Sequence, residues 1–225
     1  MHIEPGVVDG AKMTLAVATA AGAAGYSFKL AAQDVARSNI ASFAGRAALG
    51  TIGTFIFFEV LPHFPVGISE VHFILGTTLF LILGAAPAAF GLALGLMLQG
   101  MLFAPTDLPM YFVNLTTLLV PLFAVTAVAN RYIPQDRAYV DLAYSDVLKL
   151  SAMYQGGVIS WVAFWAFYGQ GFTAETFVAV GTFGAAYAAV ILIEPIADLG
   201  ALALAKTMRG LSRTGLVSER LYQAG

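Results

Sequence analysis

Three histidines, His2, His63 and His72, are the side chains best suited to chemistry in this sequence. The opening pair Met1-His2 sets an α-amine, a backbone amide and an imidazole side by side. Amine and amide nitrogens can close a five-membered chelate ring on a metal, and the amide with Nδ1 of the same histidine a six-membered one. A fourth in-plane position is left open. Nitrogen-only tetragonal ligation suits Ni(II) or Cu(II), and imidazole also serves Co and Zn. Taken alone the pair is a weak signal, because chain ends are where order is least expected. A second chemical pair is Glu194 and Asp198, one helical turn apart beside Pro195 in an apolar stretch. Charge at membrane depth is costly and often functional. The pair could serve a proton-coupled secondary transporter, or simply neutralise Arg46 or Lys29 or meet the cytoplasmic interface.

The elements that must position these groups are membrane helices. The chain has 225 residues, 59% of them hydrophobic and 11% charged, against about 25% charged in soluble domains. Nearly every long segment is apolar, so the fold expected is an all-α integral membrane protein. A spanning helix needs about 20 mostly apolar residues. Seven such stretches follow one another, at about 11–32, 40–61, 73–84, 88–103, 110–130, 150–168 and 175–205. The third is short and follows a link, Pro62 to His72, that breaks the hydrophobicity. Residues 1–10 are polar and turn-rich, 11–205 form the helical domain, and 206–225 make a basic tail. The acidic, turn-forming start is unlike a signal peptide, so the first helix is expected to be retained, and Met1 with it because His2 is too bulky for the usual removal of the initiator residue.

Orientation follows from Lys and Arg near the span ends. With the N-terminus outside, ten of the eleven basic residues face the cytoplasm and only Lys12 stays out. Lys29 and Arg46 lie within apolar stretches and are expected to snorkel to the inner interface. This topology, N-terminus out and C-terminus cytoplasmic, puts all three histidines on the outer side. They share it with Glu4, Asp9 and Glu70, a combination that suits a divalent cation. Ala16, Ala20 and Ala24 form a small-residue face that could pack within the chain or dock another subunit, as could Ala44 and Ala48. Trp161, Trp165 and Tyr168 form an aromatic face expected near an interface. The absence of cysteine excludes disulfides, thiolate metal sites and thiol nucleophiles. An intramembrane hydrolase would need a base at membrane depth, and no histidine lies inside a span.

Three stretches carry a family resemblance. Met1-His2-Ile3 with Glu4-Pro5-Gly6 resembles the Met-His-Ile-Pro-Asp/Glu-Gly opening of the CbiM/NikM family, with the middle pair reversed. Gly53-Thr54-Phe55-Ile56-Phe57 followed by Phe64-Pro65-Val66-Gly67-Ile68-Ser69-Glu70-Val71-His72 is similar to its Gly-x-Phe-x-Phe helix, Asn-Phe-Pro-Val turn and Gly-Thr-Ser-Gly-His loop. Leu98-Gln99-Gly100-Met101-Leu102-Phe103, with Asp107 and Asn114, resembles a third family stretch. These are substrate-binding membrane components of energy-coupling factor (ECF) importers for cobalt and nickel.

The resemblance implies a metal site formed by the Met1 amine, the His2 amide and imidazole, and His72. His63 stands where the family usually shows Asn and is a further candidate ligand, and one extra residue precedes His72. It also implies Co2+ or Ni2+ as transported substrate, with no permanent cofactor and no enzymatic activity of the chain's own. The sequence holds no Gly-x-x-x-x-Gly-Lys phosphate loop. ATP hydrolysis is therefore expected from two cytoplasmic ATPase subunits. The other implied partners are a membrane coupling (T) protein and, often, a small accessory membrane subunit. The setting implied is a bacterial cytoplasmic membrane and metal supply for cobalamin biosynthesis; no nucleic-acid partner is expected.

Overall fold

A computed structural model describes residues 2–223; Met1 lies outside the described residues. The elements run α1 (Met13–Arg37), α2 (Ile40–Phe55, continued by a π-helical turn Ile56–Val60), β1 (Phe64–Val66), β2 (Ser69–Val71), α3 (Gly76–Leu83), α4 (Ala85–Leu102), α5 (Tyr111–Tyr132), α6 (Tyr144–Gln170), α7 (Ala174–Thr207) and α8 (Glu219–Tyr222). Each expected span has a helix, with shifted ends. Among the described residues, four helical stretches are long and apolar enough to cross a membrane: Ile40–Val60, Ala85–Leu102, Pro105–Tyr132 and Ala174–Thr207. Large apolar side chains such as Val178, Leu192 and Ile196 remain exposed along α7, as a lipid-facing surface requires. This is a membrane protein.

Small residues set the helix spacing. On α4 a Cβ at Gly91 would come within 2.6 Å of the Gly50 backbone in α2, and one at Gly95 within 2.6 Å of Thr54 Cβ. The two backbones therefore touch through a Gly-x-x-x-Gly face, the close approach that drives helix association in lipid. On α1 the buried stripe is Ala16, Ala20, Ala23, Ser27 and Ala31, turned toward α5 and α4. The small-residue face of α1 thus serves packing within the chain, whereas Ala44 and Ala48 on α2 stay exposed.

The third span departs most from expectation. α3 has eight residues, about 12 Å at 1.5 Å per residue, too short to cross a bilayer core of about 30 Å. It lies inside the bundle against α2, α4, α5, α6 and α7, entered by an extended stretch after β2. The bend is made at Leu75, whose φ of 53° is left-handed. Exposed backbone donors at such a break need partners, since lipid offers none. The Ile74 and Leu75 amides both donate to the Glu194 carboxylate of α7. Gln155 of α6 donates to it as well, and the Tyr187 hydroxyl donates to Gln155 at 2.7 Å. One turn on, Asp198 accepts from Thr78 of α3. The pair thus binds the broken helix rather than Arg46 or Lys29.

Arg46 does not snorkel. It is 3% exposed, ion-paired to Asp34 of α1 and bonded through Nη1 to Leu83 O at the end of α3, 2.8 Å. Trp165 is also fully buried; its indole and that of Trp161 donate to Thr116 Oγ1, each at 3.1 Å. Trp165 thus packs in the α5–α6 interior, with Trp161 and Tyr168 partly buried beside it.

Candidate metal centre

The segment after Met1 is held as an added strand. Ile3 bridges Ser69 of β2 in antiparallel fashion. The Glu70 amide donates to His2 O (2.9 Å), the Glu4 amide to Ile68 O (3.2 Å) and Ser69 Oγ to His2 O (3.0 Å). From the other side, Asn114 of α5 accepts from the Ile3 amide at 2.8 Å. The hairpin itself is tight: β1 and β2 pair Phe64 with Val71, Pro65 with Glu70 and Val66 with Ser69. Gly67 at its turn has φ 65° and faces Ala179 O of α7 so closely that a Cβ would collide. Only glycine meets both demands.

Along β2 side chains alternate, so Glu70 and His72 project to one side, toward His2. The result is a cluster in which one ligand atom each from His2, Glu70 and His72 lies within 4.8 Å of the others. Glu70 Oε2 stands 3.0 Å from His2 Nδ1 and 2.8 Å from His72 Nε2. Asp107, from the turn before α5, brings Oδ2 to 3.4 Å of His2 Nδ1. The imidazoles are 2% and 1% exposed, and their centroids are 4.9 Å apart. Phe58 packs against both rings. Beside His2 lies a cavity of about 10 Å³ whose lining includes Gln99, Asp107 and Asn114, about the space of one water. His2 Nε2, His72 Nδ1, Gln99 Oε1 and Asn114 Nδ2 are buried without a hydrogen-bond partner among the described residues.

The electrostatics favour ligation. Burial pushes the His2 imidazole below its ordinary range, and burial does the same more strongly to His72. Both are then neutral near pH 7, the form that binds metals. Hydrogen bonds from His2 and His72 hold the Glu70 carboxyl well below the usual carboxylate range. A neutral–neutral–anionic set of two nitrogens and an oxygen suits Co, Ni or Zn.

Of the residues the sequence singled out, the structure brings His2 and His72 together. His63 sits outside the cluster: its ring stacks on His72 at 4.9 Å and 13°, and its Nδ1 lies 3.2 Å from Leu61 O. Sequence reasoning missed the placement of Glu70, which it had counted only as outer-face charge; strand alternation with His72 was the available signal. A larger cavity, about 840 Å³, opens at the other end of the bundle near Arg46 and Arg220 and has no histidine in its lining.

No curated protein and no solved structure matches the chain. Residues 2–210 match the family described as CbiM, cobalt uptake substrate-specific transmembrane region. With that match spanning most of a membrane protein whose two buried histidines converge on one point, the chain belongs to the CbiM family.

Proposed function

We propose that this chain is the substrate-binding component of an ECF-type importer and captures Co2+ or Ni2+ at its outer face. The observation that carries this reading is the meeting of His2 Nδ1 and His72 Nε2, from segments 70 residues apart, around one carboxylate oxygen. The imidazoles supply two nitrogens, and the Met1 amine and His2 amide would add two more. The orientation is N-terminus out, with seven membrane passages, the third made by the extended 73–75 stretch and α3 together. A coupling protein and two ATPase subunits would supply the energy. The exposed Ala44/Ala48 face of α2 is available to dock the coupling protein. The proton-coupled alternative loses its main support, because the Glu194 oxygens are occupied by the Ile74 and Leu75 amides.

The test is metal content and binding of purified full chain carrying a native N-terminus, with Co, Ni, Cu and Zn in competition. Co2+ or Ni2+ should bind at one site per chain. His72→Ala should weaken binding by about a hundredfold or more, the upper scale for losing support at a metal site. One residue added before Met1 should abolish four-nitrogen binding. Full-strength binding by both altered proteins would refute the site.

A further inference from the structure

The geometry points to Glu70 as a direct ligand of the transported cation, making the site a mixed nitrogen–carboxylate centre in place of an all-nitrogen plane. This rests on the reading of the His2/His72 cluster as the metal site. Ligand–ligand spacing is the first argument. Metal–nitrogen and metal–oxygen bonds of about 2.0–2.2 Å put neighbouring ligands at right angles about 3.0 Å apart. Glu70 Oε2 is already 3.0 Å from one donor nitrogen and 2.8 Å from the other. A cation bonded to both nitrogens therefore has this oxygen within bonding reach without rearrangement of the hairpin. A spectator role would require the carboxylate to swing out of the place it now fills.

Charge is the second argument. A dication among His2, His72 and Phe58 leaves water at a large desolvation cost unless an anion is bound with it. Glu70 is the anion in contact with both rings, and Asp107 lies 3.4 Å from His2 Nδ1 alone. Position is the third. The imidazoles are buried, whereas the Glu70 side chain is 24% exposed, so the carboxylate stands at the mouth, where an arriving hydrated cation meets it first. Its backbone amide is tied to His2 O at 2.9 Å, which fixes the ligand relative to the strand it completes. A carboxylate in the set relaxes the tetragonal preference for Ni(II) and Cu(II) and admits Co(II) and Zn(II).

Spin state reads this out in the unmodified protein. Ni(II) in a plane of four nitrogens is low-spin and diamagnetic; a carboxylate added to form a five- or six-coordinate complex makes it paramagnetic. The full chain with its native N-terminus, loaded with Ni(II) alone, should be paramagnetic, with a carboxylate oxygen among the nearest neighbours by X-ray absorption. Glu70→Gln should lower Co(II) affinity by about tenfold or more and raise the Ni:Co preference. Glu70→Asp, one methylene shorter, should fall between the two. Diamagnetic Ni(II) in the unmodified protein, with Co(II) affinity unchanged in Glu70→Gln, would overturn the assignment and leave the metal-site reading standing. Failure of the unmodified protein to bind Ni(II) or Co(II) would overturn both.

Discussion

Two glutamates in this molecule hold converging donors, and they do opposite things with them. Glu194 is fully buried midway along α7 and accepts from two backbone amides and a glutamine amide. Glu70 is partly exposed at the outer mouth and faces two imidazole nitrogens. The Ile74 and Leu75 amides are fixed in the chain and spent on this carboxylate, so Glu194 is committed to closing the break before α3. Imidazole nitrogens can exchange a proton for a cation, so the Glu70 cluster is open to a ligand. Burial of a carboxylate in a membrane protein therefore says less about function than the identity of its donors.

The largest expected effect tests the structural half of this contrast. Glu194→Ala strips the partner from two buried amides, at about 1–3 kcal/mol for each orphaned group. It should sharply lower the thermal unfolding temperature of the purified protein, whereas Glu70→Ala should change it little. If Glu194→Ala kept full stability but lost metal uptake, the two glutamates would not divide in this way, and proton coupling would return as the better account of α7.

A smaller effect, in pH dependence, sharpens the functional half. Cation binding competes with protonation, so affinity falls as pH drops through the pKa of each ligand. Burial lowers both imidazoles. Their contribution should thus persist below the ordinary histidine value of about 6.5 and disappear only in more acid solution. An α-amine, with pKa about 7.7–8.0, would begin to lose affinity already below pH 8. Co(II) titrations from pH 8.5 to 5 on a scale of about one unit per ligand step should show a loss in two stages. A single loss confined to acid pH would remove the Met1 amine from the ligand set while leaving His2, His72 and Glu70 in place.

Much of this was legible in the sequence because hydropathy is a strong signal: each expected span has a helix. The break at Leu75 was not, since a left-handed leucine carries no residue signature and its capping partner lies 119 residues away. The Arg46–Asp34 pair was hidden for the same reason, because apolar flanks alone suggested snorkelling. The Gly91/Gly95 face went unread, and its partner at Gly50 and Thr54 needed the packed helices. At the site, the residue types of His2 and His72 stood out. Glu70 became a neighbour of both only once residues 69–71 formed a strand and Ile3 paired with it.

The smallest effect concerns the far nitrogen of His2. A metal at Nδ1 leaves the remaining imidazole proton on Nε2, and ligating histidines usually donate that proton to an oxygen. Among the described residues His2 Nε2 and Gln99 Oε1 are both buried without a partner, and both residues line the small cavity beside the site. That cavity can hold one water to bridge them. Gln99→Leu should then weaken Co(II) binding by about tenfold, less than loss of His72, because it removes support for a ligand and not the ligand. Its effect should be lost in a His2→Ala background, where no Nε2 proton remains to be accepted. A Gln99→Leu penalty of the same size in both backgrounds would place Gln99 with Glu194, as packing for the bundle and not as part of the metal centre.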